Sequence, residues 1–160
     1  YDPPNLTFPF GSYICVMDID PKTAEMKIRR FVAIDDCGNI INPMIVTGQI
    51  HGGLAMGIAP AMYEELIYDD DGNILNGTFM DYLLPTSVET PNWETGHTIT
   101  PSPHHPLGAK GVAESPTVGA PPAVANAVVD ALSHLGVTHV DIPVTPFKVW
   151  KILKEKGVIS

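Results

Sequence analysis

Ser12-Tyr13-Ile14-Cys15-Val16-Met17-Asp18-Ile19-Asp20-Pro21-Lys22-Thr23, followed by Met26-Lys27-Ile28 and running on to Val32 and Ile34, is the stretch that sets the architecture. Strand-forming residues dominate the first half, and Asp20-Pro21-Lys22-Thr23 supplies a turn with proline preset for its second position. The return half alternates, so Met26, Ile28, Val32 and Ile34 are expected on one face and Lys27 and Arg29 on the other. Residues 12–34 therefore read as a β-hairpin, ended by Asp35-Asp36-Cys37-Gly38-Asn39.

Outward from the hairpin, Asn42-Pro43 opens a helix, with Asn as the cap and Pro at the first helical position. The helix is expected from Met44 to about Leu66. Gly48 and Gly52 are four residues apart, as are Gly53 and Gly57, so each pair shares one helix face. Each glycine costs a helix about 1 kcal/mol relative to alanine, so something must approach this backbone closely. A neighbouring helix or strand and a bound cofactor both satisfy that requirement. Asp69-Asp70-Asp71-Gly72-Asn73 fails as a calcium loop, because Ile74 and Met80 stand where Gly and Glu are needed. It reads instead as a hairpin turn on Asp71-Gly72.

From Pro85 to Pro122 loop residues dominate, yet Trp93, Ile99, Leu107, Val112 and Val118 argue for an ordered, packed path. A helix is then expected from Pro121-Pro122 to about Leu135. Val124, Val128, Leu132 and Leu135 fall on one face, with Gly136 as the stop. Val137–Val144 reads as a short strand. Pro146–Lys156 reads as an amphipathic helix with Phe147, Val149, Trp150 and Leu153 apolar and the lysines at 148, 151, 154 and 156 on a solvated face. A hairpin followed by separate helices gives an α+β class, with a mixed sheet and packed helices.

The 160 residues amount to one domain's length and are 44% hydrophobic, which excludes a disordered chain. No apolar run approaches the roughly 20 residues of a membrane span, and Tyr1-Asp2-Pro3-Pro4 lacks the basic and apolar regions of a signal peptide. Eighteen acidic against nine basic side chains, a net charge of -9, disfavour nucleic acid as a partner. Two cysteines without Cys-x-x-Cys spacing form no disulfide framework, which fits a cytoplasmic setting and an inert, buried Cys15. The 16 prolines and 14 glycines point to a compact unit with long, shaped loops.

The residues best placed for chemistry lie in Gly108-Ala109-Lys110-Gly111-Val112-Ala113-Glu114-Ser115-Pro116. Glu114 is a single carboxylate in an apolar, glycine-rich loop ahead of a helix. Burial would favour its neutral form, whereas a helix N-terminus and Lys110 would favour the charged form. The expected outcome is an ionised, poorly hydrated carboxylate suited to act as a general base. The alternative is a carboxylate that only caps the helix. His104 and His105, between Pro103 and Pro106, point opposite ways in an extended segment and cannot chelate one metal. They suit a structural or substrate-shaping role, and His51 suits a core position. No metal ligand is assigned in this stretch.

Taken in order, Asp36-Cys37-Gly38, Asn42-Pro43, Gly48-Gln49-Ile50-His51-Gly52-Gly53 and the Gly108–Pro116 loop resemble the closing motifs of the large, molybdopterin-binding subunit of molybdenum hydroxylases, the xanthine oxidase family. Glu89-Thr90-Pro91-Asn92-Trp93-Glu94-Thr95 and Thr100-Pro101-Ser102-Pro103-His104-His105-Pro106 are most like its aerobic carbon-monoxide dehydrogenase branch. The resemblance runs from about residue 12 to 155. It implies that residues 1–160 are the C-terminal portion of the molybdenum cofactor-binding domain, as a single domain or a fragment. It implies a molybdenum–molybdopterin cytosine dinucleotide held mainly by an upstream region, with iron–sulfur clusters and FAD on partner subunits.

By the same resemblance Glu114 is the base beside the metal and Gln49 hydrogen-bonds the pterin. Lys110, Gly111, Val112 and Ala113 form the cofactor-side loop that presents Glu114. Ala113 departs from the glycine usual before the glutamate. The copper-carrying cysteine loop of carbon-monoxide oxidisers lies upstream, and Cys15 and Cys37 match neither it nor its context. Carbon monoxide, aldehydes and N-heterocycles therefore all stand as substrates. A non-catalytic module that keeps the fold is the alternative to an enzyme.

Overall fold

The computed structural model describes Asp2 and residues 5–159; Tyr1, Pro3 and Pro4 of the N-terminal tetrapeptide lie outside the described residues. Strands β1 (Phe10–Ile19) and β2 (Met26–Asp36) form the expected antiparallel hairpin. A third strand, β3 (Trp93–His97), pairs in parallel with β2 and completes a mixed sheet of order β1-β2-β3. The expected face assignment of β2 holds only for its first half. Val16 pairs with Arg30 while Met17 pairs with Ile28, so Arg29 is the extra residue of a bulge. One inserted residue shifts the two-residue alternation by one. Phe31, Ala33 and Asp35 are thereby buried, while Ile34 is left exposed.

β3 lies inside the segment expected to be all loop. Trp93 meets the Phe31 ring edge-on at 5.6 Å between centroids, and Arg30 grips Glu94 with two hydrogen bonds of 2.7 and 2.6 Å. Of the other apolar residues in that segment, Val112 is partly buried, whereas Ile99, Leu107 and Val118 are exposed.

Helix α1 (Pro43–Met62) begins at Asn42, whose side chain accepts a hydrogen bond from the Ile45 N–H at 3.2 Å. It ends at Met62, before the expected Leu66, where the Tyr63 and Glu64 amides both close on the Ala59 carbonyl. Its two glycine pairs have different surroundings. A Cβ on Gly57 would come within 2.7 Å of the Ala120 Cβ, and one on Gly53 within 3.0 Å of the Ala113 carbonyl. A Cβ on Gly48 or Gly52 would meet nothing within 4 Å.

Helix α2 (Glu114–Leu132) starts seven residues before the expected Pro121-Pro122. Pro116 falls in its first turn, where the missing N–H costs nothing, and Pro121 and Pro122 are carried inside the helix. Val124, Val128 and Leu132 are buried as expected, and a 3-10 turn over Ser133–Leu135 closes on Gly136 at φ +76°.

Val137–Val144 is not a strand. Val137, Val140 and Val144 are buried, but the backbone partner of Val144 N–H is the Ala61 carbonyl at the end of α1. Apolar residues recurring every three or four positions anchor this coil against helix ends rather than to a sheet edge. Helix α3 (Pro146–Glu155) is capped by Thr145 and buries Val149 and Leu153. Phe147, expected inside, is exposed, stacked on Trp150 and covered by Lys151. One core joins the sheet, α1, α2 and the 137–153 segment, through Phe31, Leu54, Ile58, Val124, Val128, Val149 and Leu153.

Among the described residues no helix is long and apolar enough to cross a membrane, and no cluster of three or more His, Cys, Asp or Glu could hold a metal ion. The Asp69–Asn73 segment is the expected turn, with Gly72 at φ +82° and the Asp71 and Asn73 amides bonded to the Asp69 carboxylate.

Candidate active site

The loop leading to Glu114 is tied to the end of β2. The Gly108 carbonyl accepts from the Asn39 and Ser102 amides at 3.1 and 3.0 Å, and the Lys110 amide donates to the Cys37 carbonyl at 2.7 Å. Both glycines at this crossing have positive φ, Gly38 at +67° and Gly108 at +64°. A side chain on Gly38 would strike the Gly108 carbonyl, so the crossing requires glycine there. His105 donates a ring N–H to the Ala109 carbonyl at 2.7 Å, a structural role within its expected range.

Inside this crossing lies a buried ion pair. Lys110 Nζ is 2.9 Å from Asp36 Oδ1, with the side chains 5% and 0% exposed, and it also lies 4.4 Å above the Phe10 ring. Burial alone would push the Asp36 carboxyl upward. The Lys110 ammonium, the Gly38 and Thr100 amides and the Thr98 hydroxyl outweigh it and hold Asp36 well below the usual carboxylate range. Lys110 was expected to act on Glu114; instead its charge is committed to Asp36.

Glu114 is the first residue of α2, follows Ala113, which caps with no side chain, and is exposed. Its carboxylate takes no hydrogen bond or salt bridge among the described residues. This corrects the expectation of a poorly hydrated acid, and it also sets aside a capping role. Glu114 instead stands on the rim of a groove of about 380 Å³, formed by Pro9, Phe10, Gly11 and Tyr13 opposite Ser115, Val118 and Gly119.

Beneath that groove Ser115 Oγ donates to Asp35 Oδ1 at 2.8 Å and lies 2.7 Å from the Tyr13 hydroxyl, which also donates to Asp35. Asp35 is 2% exposed. Burial, then the Asp35 bond, raises the Tyr13 phenol far above the usual tyrosine range, so it stays a donor.

Gln49 is exposed on α1, one turn before Gly53 and on the same stripe. Gly53 faces the Ala113 carbonyl, so Gln49 and the Lys110–Glu114 loop border one edge of the α1–α2 pair. Beside them Gly48, Gly52 and the exposed Gly111 leave bare backbone with nothing within 4 Å of a Cβ position. An amide side chain next to an open glycine strip fits a bulky pterin nucleotide. The Lys110 side chain does not belong to that surface. Sequence reasoning missed Tyr13, Asp35 and Ser115 as a unit; the signal was Asp35-Asp36, two acids in a row directly after the apolar run Phe31-Val32-Ala33-Ile34.

Residues 1–91 match the family model of the molybdopterin cofactor-binding domain. The chain belongs to the molybdopterin cofactor-binding domain family. The Glu114 loop lies beyond that match but within those to whole relatives. The chain is 64% identical to the carbon monoxide dehydrogenase large chain of Hydrogenophaga pseudoflava over 158 residues, covering 99% of this chain and 20% of that protein. It is 42% identical to the nicotine 6-hydroxylase large subunit of Paenarthrobacter nicotinovorans, covering 96% of this chain and 18% of the other. Its backbone superposes on the crystal structure of the Cu,Mo-CO dehydrogenase in the carbon monoxide reduced state with a TM-score of 0.95, at 56% identity, over 99% of this chain and 20% of that one. The chain thus spans about one-fifth of the length of these relatives. This molybdopterin-binding family shares the α+β fold read from the sequence.

Proposed function

We propose that residues 1–160 are the C-terminal portion of the cofactor-binding domain in the catalytic subunit of a molybdenum-dependent oxidoreductase similar to carbon monoxide dehydrogenase. Glu114 serves there as the base. Gln49 and the backbone at Gly48, Gly52 and Gly111–Ala113 hold part of a molybdopterin cytosine dinucleotide. The observation that carries this reading is an exposed carboxylate, unpaired among the described residues, that opens α2 directly after Ala113, whose carbonyl backs onto Gly53 of α1 one turn beyond Gln49.

When bound, the cofactor supplies the redox centre. The chain's own residues orient it through backbone groups and the Gln49 amide, and Glu114 accepts a proton from the reacting group. A positioned base of this kind contributes about 10²–10⁴-fold to rate. The upstream part of the same subunit supplies the remaining contacts, so the chain alone is inactive. Iron–sulfur and flavin subunits in the cytoplasm carry the electrons away. A module that had lost the chemistry would have no use for an intact Glu114 loop. The likeness to a nicotine 6-hydroxylase subunit keeps N-heterocycles as an alternative substrate class, with aldehydes beside them. Copper in the full assembly marks a carbon-monoxide oxidiser, and its absence favours the others.

Gly52→Phe tests the cofactor surface. Within this chain the new side chain meets open space, so these 160 residues should pack normally while the molybdenum and pterin content of the assembled subunit falls. Full cofactor content in that variant would contradict the reading.

A further inference from the structure

The geometry points to a positioning device for Glu114: Tyr13 and Asp35 grip Ser115 and thereby fix the first turn of α2, on which the carboxylate is carried. The inference rests on Glu114 being the base. Nothing local holds Glu114, since Ala113 provides no side-chain cap and the Glu114 carboxylate has no partner among the described residues. The residue directly after it is held from far away in sequence. Ser115 Oγ bonds Asp35 on β2 and Tyr13 on β1.

Tyr13 also touches α2 a second time, one turn further on, where a Cβ at Gly119 would collide with its ring. Gly11 is cleared in the same way, because a side chain there would strike the Tyr13 hydroxyl and lie 2.9 Å from Asp35 Oδ1. Two glycines thus make room for one tyrosine hydroxyl and its carboxylate.

The arrangement is a costly way to join a strand to a helix. Asp35 is 2% exposed, and its Oδ2 has no hydrogen-bond partner among the described residues. An apolar contact would join β1 to α2 without burying a carboxylate oxygen unpaired. What hydroxyl-to-carboxylate bonds add is a fixed register, because they are short and directional. For a base whose rate contribution depends on sub-ångström placement, that register matters more than stability.

The test is Tyr13→Phe in the full-length, cofactor-loaded subunit, which removes one oxygen and keeps the ring against Gly119. The expected result is a fall in kcat of about 10–100-fold with KM and molybdenum content unchanged. In a Glu114→Gln background the same change should cost nothing further, because the clamp acts only through Glu114. Amide hydrogen exchange supplies a readout independent of turnover: Thr117 and Val118, the first amides of α2 with acceptors one turn back, should lose protection while Val124–Leu132 do not. Ser115→Ala should reproduce both effects.

Unchanged kcat in Tyr13→Phe, or an equal further loss in the Glu114→Gln background, would overturn the proposal. So would unchanged protection of the first turn, or loosening along all of α2. Full turnover by Glu114→Gln alone would refute the base assignment instead, and the exchange pattern would still decide whether the clamp exists.

Discussion

Lys110→Met keeps most of the aliphatic stem and removes only the ammonium. In the folded chain that ammonium lies 2.9 Å from Asp36, with the side chains 5% and 0% exposed. Deleting one partner of a pair buried to this degree costs about 3–5 kcal/mol, because the remaining charge is left uncompensated. Asp36 keeps the Gly38 and Thr100 amides and the Thr98 hydroxyl, which places the cost near the low end, about 3 kcal/mol. That corresponds to about a hundredfold in a local opening equilibrium.

Amide hydrogen exchange on the full-length subunit measures it directly. The Asn39 and Ser102 amides, both bonded to the Gly108 carbonyl, should lose about two orders of magnitude of protection, while the middle of α2 stays protected. The effect also has a pH signature. Asp36 is held below the usual carboxylate range in the folded chain, so the stability it contributes is present above the unfolded value of about 3.9 and is lost only as pH falls through its lower folded value. In the variant an uncompensated Asp36 takes up a proton more readily. The gap between the two proteins should therefore stay constant from neutral pH down to about 5 and narrow as pH approaches about 4. Unchanged protection at Asn39 and Ser102 would refute the reasoning, and so would a gap that widens on acidification.

Other consequences can be checked in the same subunit. Gly57→Ala should lower the thermal midpoint, because the new methyl lies 2.7 Å from the Ala120 Cβ in a helix crossing. Gly48→Ala meets open space within this chain but adds a methyl to the proposed cofactor strip, so it should lower the molybdenum and pterin content of the subunit despite the gain of about 1 kcal/mol in helix propensity. Asn42→Ala removes the cap on Ile45 N–H and should cost about 1 kcal/mol in denaturant unfolding. Cys15 is half-buried rather than buried as expected, whereas Cys37 is buried. Partial burial still pushes the Cys15 thiol up to about 11 and burial also raises Cys37, so at pH 8 both should alkylate slowly until the protein is unfolded. Rapid labelling of Cys15 in the native state would contradict its placement.

The parts of the fold that were legible depend on neighbours close in sequence. The hairpin follows from alternation around Asp20-Pro21, and α1 follows from Asn42-Pro43 and the residues after it. Arg29 escaped because a bulge depends on the partner strand and leaves no mark on the bulged strand alone. β3 was hidden among prolines, since its pairing is with a strand some sixty residues earlier. The start of α2 was set too late because Pro121-Pro122 read as a helix opening. Packing against α1 and β1 carries the helix through them.

The site divides the same way. Glu114 and Gln49 stood out through their glycine-rich surroundings and the family likeness. Asp35 and Asp36 read as turn residues, because their burial depends on Tyr13, Lys110 and Ser115, which only the folded chain brings to them. Lys110 shows the converse error. A lysine four residues before a carboxylate suggested a partner for it, but the tertiary fold gives that ammonium to Asp36.

The base assignment is tested most directly by the turnover of Glu114→Gln in the assembled enzyme, measured at matched molybdenum content. The exposed, unpaired carboxylate predicts that the variant folds and loads normally but loses about 10²–10⁴-fold in kcat. Turnover equal to the wild type at equal loading would contradict the account at its centre.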